Sequence, residues 1–308
     1  MKIRLSRIIL VVLLVLTLAA KVALADSLVL SGVPEYRWYY GCSPTSGGML
    51  MGYWAEHGAA PLLPGVSDPM VQSAAVNSAI ASAAHIAAGQ ALGLTYGSYQ
   101  NHAANSIADF MLTENGGTSG PEIAAGVAAW SQYVGVGVKT AVYDEVQFYA
   151  GSFTYADYKA ELNANRPVLL NLVTYVSGQD YVGHSVLGYG YRDDMFNIRL
   201  RTGPASYLDV TVPGFAVMDT WKNGVGAGKQ SEWTDWAGNP LYALLDGNGV
   251  EWWPFLDLTL AHGYDYATLW DWEVFSGVFY QPVPVPPTLV LLGSGLLCLW
   301  RPRRLRPK

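Results

Sequence analysis

The chain has 308 residues, of which 51% are hydrophobic and 14% charged, enough for one large domain with a sizeable core. All 24 acidic residues lie between Asp26 and Pro286, whereas nine of the 18 Lys and Arg lie in the two ends. The part between the ends carries a formal net charge of −15, which argues against nucleic acid or anionic lipid as a partner.

Residues 1–25 have the pattern of a secretory signal peptide. Basic residues precede an apolar run from Ile8 to Leu18, and small residues at Ala23 and Ala25 form a signal-peptidase site. The sequence predicts export, with Asp26 as the first mature residue, and an uncleaved N-terminal anchor is the alternative.

The stretch from Gly41 to Trp54 joins a cysteine to the start of an apolar helix. Gly41 permits a tight turn, Ser43 can cap a helix, and Pro44 suits its first turn. Cys42 is therefore predicted at or just before a helix N-terminus, where the helix dipole favours the nucleophilic thiolate. The alternative is a small buried cysteine that only packs.

The next region, as far as about residue 134, is predicted to be a helical lobe that forms one wall of a cleft. Helices are predicted over Met70–Ala91, Asn101–Leu112 and Pro121–Val134. His85 and His102 lie in this lobe, and each is expected to be a surface or packing residue. No second His, Cys or carboxylate recurs at metal-ligand spacing, so neither a metal nor another cofactor is expected.

From residue 136 the pattern becomes that of strands, with one short helix over Thr154–Asn163. The predicted strands are 136–143, Pro167–Tyr175, His184–Tyr191, Met195–Arg201, Tyr207–Val212, Phe215–Trp221 and Thr268–Tyr280. Helices followed by strands predict the α+β fold class with an antiparallel sheet. The tryptophan-rich part beyond Gly224 is compatible with stacking on polysaccharide, although core packing is the commoner role of such residues.

Residues 282–308 begin with prolines, continue as an apolar run over Thr288–Trp300 and end in five basic residues. The run is shorter than the ~20 residues of a comfortable spanning helix, and with its basic stop it predicts a short transmembrane segment. Pro284, Pro286, the apolar run and the arginines resemble the PEP-CTERM sorting signal of Gram-negative bacteria, with Val285 in place of a glutamate. The resemblance implies an inner-membrane anchor that an exosortase processes, followed by release to the outside or the cell surface. A simple C-terminal anchor is the alternative.

The two cysteines have different surroundings. Cys298 lies in the predicted tail, so the mature domain keeps only Cys42 and forms no internal disulfide. A lone thiol in an oxidising compartment is a liability unless it is buried or used. This favours Cys42 as a nucleophile over a packing residue.

A cysteine nucleophile needs a base within hydrogen-bond reach and a group that orients the base. His184 follows Gly183 at the start of an apolar strand and is the candidate base. Asp219, at the end of a later strand, is the candidate orienting group, since its carboxylate can accept from an imidazole N–H. Asp193 and Asp194 are rivals for that role, and residues without a catalytic role are the alternative.

The segment Tyr40–Thr45, with Gly48 and Met49, resembles the nucleophile motif of papain-like cysteine peptidases. Together with the order Cys, Gly-His and Asp, it most resembles the bacteriocin-leader-processing, or double-glycine, peptidases and their secreted relatives, over roughly residues 32–223. The resemblance implies a papain-like domain over residues 26–281. In that fold a helical lobe, with the nucleophile on its first helix, packs on an antiparallel sheet.

The resemblance also implies roles for individual residues. Cys42 attacks the peptide carbonyl, His184 accepts and returns the proton, and Asp219 orients His184, while the Cys42 amide helps to stabilise the oxyanion. The family pattern has a glutamine before the cysteine as a second oxyanion donor, and residues 35–40 contain none. Tyr36 is the candidate to replace it, with Trp38 as the other possibility.

The function expected from the sequence is an exported cysteine peptidase that acts on a peptide or protein. Its processing partners would be signal peptidase and an exosortase, and it would contact the membrane only through its terminal segments. One alternative is a catalytically weak or inactive peptidase-fold protein that binds exopolysaccharide or the cell surface, as the missing glutamine and the tryptophans suggest. Another is transferase chemistry on the same three residues, such as transpeptidation or amide exchange.

Overall fold

The computed structural model describes residues 27–91, 105–114, 117–146, 151–174, 182–203, 206–220, 244–256, 265–266 and 273–283. The predicted signal peptide, His102 and the predicted tail beyond residue 283 lie outside these ranges. Within the described ranges, no helix is both long enough and apolar enough to cross a membrane.

Helices occupy the N-terminal part of the described chain. They are α1 (Cys42–Glu56), a 3-10 turn (Ala60–Leu62), α2 (Ala74–Ile80), α3 (Ala83–Ala91), α4 (Ile107–Phe110), α5 (Gly120–Tyr133) and, after the second strand, α6 (Tyr155–Asn163). The predicted starts of α5 and α6 are confirmed. Ser119 is the N-cap of α5, and Thr154 forms a capping box with Asp157 at the start of α6.

The single helix predicted over Met70–Ala91 is wrong, because the chain forms two helices there. Ala81 is extended, with φ −145° and ψ 121°, and ends α2. The Ser82 hydroxyl then accepts a hydrogen bond from the His85 backbone N–H, which is the bonding pattern of a new helix start.

Nine strands form one sheet in which every pairing of strands is antiparallel within the described residues. They are β1 (Ser27–Val29), β2 (Val138–Glu145), β3 (Val168–Thr174), β4 (Val182–Gly203), β5 (Ser206–Met218), β6 (Leu244–Leu245), β7 (Glu251–Pro254), β8 (Asp265–Tyr266) and β9 (Glu273–Pro282). Their order is β2-β9-β3-β4-β5-β7-β6, and β1 and β8 also pair with β4. The α+β prediction is confirmed.

Strands β4 and β5 form a hairpin longer than predicted. The sequence predicts one strand that ends at Tyr191 and another that begins at Met195, but the structure has a bulge between them: Arg192 pairs with Gly214, and pairing resumes between Phe196 and Val212. Asp194 adopts the left-handed conformation, with φ 47°, inside this bulge. The bulge accommodates the extra residues, and the pairing between β4 and β5 continues on both sides of it. The four strands predicted over this part of the chain therefore form two long strands.

Helix α1 lies at the centre of the core. Its residues from Ser43 to Tyr53 are all buried, and it packs against β3 and β4 as well as against α2, α4 and α5. Its small residues permit this close approach, since a Cβ on Gly48 would lie 2.5 Å from Ile80 Cγ1. Helix α1 is therefore packed tightly against its neighbour α2.

Candidate active site

Cys42 is the first residue of α1, and Gly41 occupies the N-cap position. Gly41 has φ 137°, a backbone conformation that residues with side chains rarely adopt, and Tyr40 before it is left-handed with φ 61°. Ser43 is not the cap that the sequence suggests, because it lies inside the helix with its hydroxyl 2.8 Å from Ser185 Oγ. The turn at Gly41 thus places the thiol at the helix N-terminus.

A threonine one turn into α1 fixes this turn. The Thr45 hydroxyl lies 2.6 Å from the Gly41 carbonyl oxygen and accepts a hydrogen bond of 2.9 Å from the Tyr39 backbone N–H. Thr45 is fully buried, so these bonds are shielded from competing water. The loop that precedes Cys42 is therefore bound to the helix that follows it.

The surroundings of Cys42 favour its thiolate form. Burial alone would raise the pKa of the thiol. The hydrogen bond and the positive charge of His184 lower it, and hydrogen bonds from the Ser185 backbone N–H and the Ser43 hydroxyl act in the same direction. The net effect is a pKa below the usual value of a thiol.

His184 lies near the start of β4, paired with Leu172 of β3, and its side chain is fully buried. Its Nε2 lies 2.9 Å from Asp219 Oδ1. Burial alone would lower the pKa of the imidazole, but the hydrogen bond to Asp219, followed by the contact with Cys42, raises it to about 9. Since Nε2 faces the carboxylate, the Nδ1 edge of the ring is the one that can serve the thiol.

Asp219 directly follows β5, and the rival aspartates are placed elsewhere. Asp193 accepts hydrogen bonds from the Tyr155 hydroxyl at 2.9 Å and from Lys159 Nζ at 2.5 Å, both on α6. Asp194 lies in the β4 bulge. The structure therefore brings Cys42, His184 and Asp219 together and leaves the other two aspartates apart from them.

Tyr36 is not placed as an oxyanion donor. It is fully buried, and its hydroxyl donates to the Pro69 carbonyl oxygen. The same hydroxyl lies beside Gly52, where an added Cβ would come within 2.6 Å of it. Gly52 is ten residues beyond Cys42, which is roughly 15 Å along a helix axis. Tyr36 is thus a core residue packed on α1.

Trp38, the other candidate donor, lies closer to the site. Its backbone N–H donates to the Thr220 carbonyl oxygen at 2.7 Å, next to Asp219, and its side chain is 50% exposed. Trp252 and Trp253 are buried, so core packing accounts for them. The ring of Trp253 lies 6.5 Å from that of His184, between centroids, and closes one side of the site.

His85 is a packing residue, one of the two roles expected from the sequence, but its buried partners were not predicted. It is fully buried, with Nδ1 2.7 Å from Asp109 Oδ1 and Nε2 3.1 Å from the Thr113 carbonyl oxygen. Both ring nitrogens of His85 therefore face hydrogen-bond acceptors. The imidazole ring packs edge-on against Tyr40, at 4.8 Å between ring centroids, and so supports the loop before Cys42.

Ser43 and Ser185 were also missed as neighbours of the thiol. The available signal is that Ser185 directly follows His184 in an otherwise apolar strand. No group of three or more metal-ligating side chains occurs within the described residues. Chemically, the site holds a thiol with a lowered pKa, a charged histidine beside it and a carboxylate behind the histidine.

Comparison with known proteins gives a family match. A family model described as "Peptidase_C39 like family" matches residues 30–230, more than half of the chain, and this range includes all three of Cys42, His184 and Asp219. No curated protein and no solved structure matches the chain.

Proposed function

The chain belongs to the Peptidase_C39-like family, and we propose that it is an exported cysteine peptidase that hydrolyses peptide bonds. Cys42 is the nucleophile, His184 the acid and base, and Asp219 the group that orients His184. One observation carries the proposal: a thiol of lowered pKa at a helix N-terminus contacts a histidine whose far nitrogen lies 2.9 Å from a carboxylate.

In the first half of the reaction, the Cys42 thiolate attacks the carbonyl carbon of the scissile peptide bond. The carbon–nitrogen bond breaks as the His184 imidazolium gives its proton to the leaving amine. The products of this half-reaction are a free amine, a thioester on Cys42 and a neutral His184. Asp219 keeps the imidazole in the required orientation throughout.

In the second half, neutral His184 takes a proton from water, and the water oxygen attacks the thioester carbon. The carbon–sulfur bond breaks, the carboxylic acid leaves, and the thiolate–imidazolium pair is restored. Water is the only co-reactant. An amine in place of water would give transpeptidation or amide exchange.

The negative charge that develops on the carbonyl oxygen needs hydrogen-bond donors. We assign the backbone N–H of Cys42, at the positive end of α1, to this role. Loss of one oxyanion donor typically reduces the rate roughly a hundredfold to a thousandfold. With Tyr36 buried on α1, the proposal relies on the helix N-terminus and assigns no side-chain donor.

Export and processing belong to the same proposal. Residues 1–25 would be removed by signal peptidase, and the tail would hold the protein at the inner membrane until an exosortase acts. The strongly acidic mature part is suited to solution outside the cell. The substrate is then a peptide or protein on the outer side of the inner membrane.

A peptidase-fold binding protein without activity is not favoured. Such a protein would not require a charged histidine in contact with a thiol of lowered pKa, and the described tryptophans beyond Gly224 are part of the core.

The test is hydrolysis of a mixed peptide library by the full chain, followed by mass spectrometry. Cys42→Ala should abolish cleavage, whereas Cys298→Ala, which removes the other cysteine, should leave it intact. Unchanged cleavage by the Cys42 variant would overturn the proposal. Added amines that enter the products would show transferase chemistry instead of hydrolysis.

A further inference from the structure

A row of buried polar side chains crosses the sheet beside the candidate site. Ser185 on β4 pairs with Asn171 on β3, and Asn171 pairs with Ser276 on β9. All three are buried, where a hydroxyl or amide without a partner is costly. The row therefore has to be satisfied by hydrogen bonds among its own members and their neighbours.

Hydrogen bonds join the row into one chain. Ser185 Oγ donates to Asn171 Oδ1 at 2.8 Å, and Asn171 Nδ2 donates to Ser276 Oγ at 2.9 Å. At the near end, Ser43 Oγ lies 2.8 Å from Ser185 Oγ and also reaches the sulfur of Cys42. The thiol is therefore the first member of the chain.

The far end of the chain reaches a carboxylate. The Ser276 hydroxyl contacts the Tyr143 hydroxyl, which donates to Glu145 Oε1 at 2.9 Å. Tyr143 and Glu145 both belong to β2, at the end of the strand order. The hydrogen-bonded chain thus spans four adjacent strands, from the candidate nucleophile to a carboxylate.

The direction of these bonds is constrained, because each hydroxyl has a single proton. When Ser185 donates to Asn171, it has to accept from Ser43. Ser43 then has no proton for the sulfur and can only accept one from Cys42. This direction fits the protonated thiol.

The opposite direction fits the same atom positions. With the Asn171 amide turned by half a rotation, Nδ2 donates to Ser185 and Oδ1 accepts from Ser276. Ser185 then donates to Ser43, and Ser43 donates to the sulfur. This direction fits the thiolate, since a donor to a charged acceptor makes one of the stronger hydrogen bonds.

We propose that Ser43, Ser185 and Asn171 act as a positioning relay whose hydrogen-bond direction follows the protonation state of Cys42. With the thiolate, the relay points its protons at the sulfur and stabilises the nucleophile. Once the sulfur is acylated and uncharged, the relay turns back toward Glu145. The inference rests on the proposed function, since the relay would serve a nucleophilic Cys42. It can nevertheless be tested through the reactivity of the thiol, without a substrate or turnover.

The charged and titratable groups around Cys42 come from several elements. His184 on β4 contacts it, and Asp219 after β5 stands behind His184. On the helical side, the His85–Asp109 pair reaches Tyr40, two residues before Cys42. Ser43, Ser185 and Asn171 have no titratable group, so the groups that can set the direction of the relay lie at its two ends, Cys42 and Glu145.

The first experiment compares Ser43→Ala with Ser46→Ala in the full chain. Ser46 is a matched control, since it is buried on the same helix but donates to the Ser185 carbonyl oxygen at 2.8 Å. Alkylation of Cys42 by iodoacetamide is followed against pH at the peptide level. Ser43→Ala should slow alkylation at pH 6 roughly tenfold, which corresponds to one pKa unit, and Ser46→Ala should leave it unchanged. Equal rates in the two variants would overturn the relay.

The second experiment observes Asn171 directly. Its side-chain amide resonances in nitrogen-15 NMR spectra can be assigned by their loss in Asn171→Asp. In a pH titration, their chemical shifts should change with the same pH midpoint as Cys42 alkylation. In Ser43→Ala this shift should vanish, and in Ser46→Ala it should persist. A structural role alone would change the unfolding temperature and not this titration. The proposal would be overturned if the wild-type Asn171 resonances did not shift at the pH midpoint of Cys42 alkylation. This result does not require Ser43→Ala to fold.

The two proposals fail separately. A wild-type Cys42 that alkylates like an ordinary thiol contradicts the nucleophile assignment. A reactive Cys42 without the Asn171 response contradicts the relay and leaves the peptidase proposal standing.

Discussion

His184 Nε2 lies 2.9 Å from Asp219 Oδ1, although 35 residues separate the two in the chain. The β4–β5 hairpin explains the spacing: Gly203 pairs with Ser206 at its tip, and Leu187 pairs with Met218 at its base. The chain thus leaves the site along one strand and returns along the next. The hairpin can therefore be long without changing the distance between His184 and Asp219 at its base.

Asp219→Asn is expected to impair the proposed activity by removing the charge behind His184. The pKa of His184 should fall below about 9, and kcat/KM should drop by roughly a hundredfold or more. Asp193→Asn is the control, since Asp193 is held by Lys159 and Tyr155. Steady-state kinetics on a peptide substrate would show equal losses in both variants if Asp219 had no special role.

The pH dependence of activity should follow Cys42 and His184 as a pair. His184 holds its proton up to about pH 9, so activity should decline above that value. The lowered pKa of Cys42 places the ascending limb below the usual thiol value. A rate profile that rises through pH 9 would contradict this assignment.

Two opposing contributions should govern how stability depends on pH. The contribution of His184 is lost as the pH rises from 6.5 to about 9, because its folded pKa is raised. The contribution of Cys42 is lost as the pH falls below 9.0 through its lowered folded pKa, because the thiolate is the form that the folded protein favours. The unfolding midpoint should therefore fall less between pH 7 and pH 8.5 than the His184 contribution alone would require. Thermal unfolding at the two pH values measures this difference.

The buried His85–Asp109 pair should be important for stability. Asp109→Asn removes the buried carboxylate that lies 2.7 Å from His85 Nδ1, and loss of a buried hydrogen bond to a charged group typically costs about 1.5–3 kcal/mol. Burial alone would raise the pKa of Asp109, but hydrogen bonds from His85 and Ser106 lower it. The contribution of Asp109 is therefore present above pH 3.8 and lost as the pH falls through the lowered value.

Urea unfolding near neutral pH measures this effect. His57→Ala is the control, since His57 is an exposed histidine that stacks on Tyr53. A cost for Asp109→Asn no greater than that for His57→Ala would show that the pair is not important for the fold.

Gly48→Ala should destabilise the protein without touching the candidate catalytic residues. The new Cβ would lie 2.5 Å from Ile80 Cγ1 in the core, and overpacking of this kind typically costs about 1–3 kcal/mol. Gly247→Ala is the control, because nothing lies within 4 Å of its Cβ position. Equal unfolding free energies for the two variants would contradict the tight packing of α1.

The three candidate catalytic residues could be proposed from the sequence because each lies at or near the end of an element. Cys42 begins a helix, His184 stands near the start of a strand, and Asp219 follows the last residue of another. Such boundaries have local signals in glycine, proline and apolar periodicity. The helix-then-strand order likewise allowed the α+β class to be predicted.

Features that depend on distant contacts could not be predicted in this way. Ser43 meets Ser185 across 142 residues, and nothing local distinguishes that serine from a helix cap. Tyr36 lies in the sequence where the family pattern has an oxyanion donor. In the structure its ring packs in the core against Gly48 and Gly52 of α1, which leave room for it. The β4 bulge has the composition of a turn, and only pairing with β5 keeps the strand continuous.

The most direct test of the central claim is the pH dependence of Cys42 alkylation by iodoacetamide in the wild type and in His184→Gln. In the wild type, the midpoint of the alkylation rate should lie below 9.0, because His184 stabilises the thiolate. In His184→Gln the midpoint should move up to the usual thiol value or above it. A wild-type midpoint near 9.0 that the variant leaves unchanged would contradict the account.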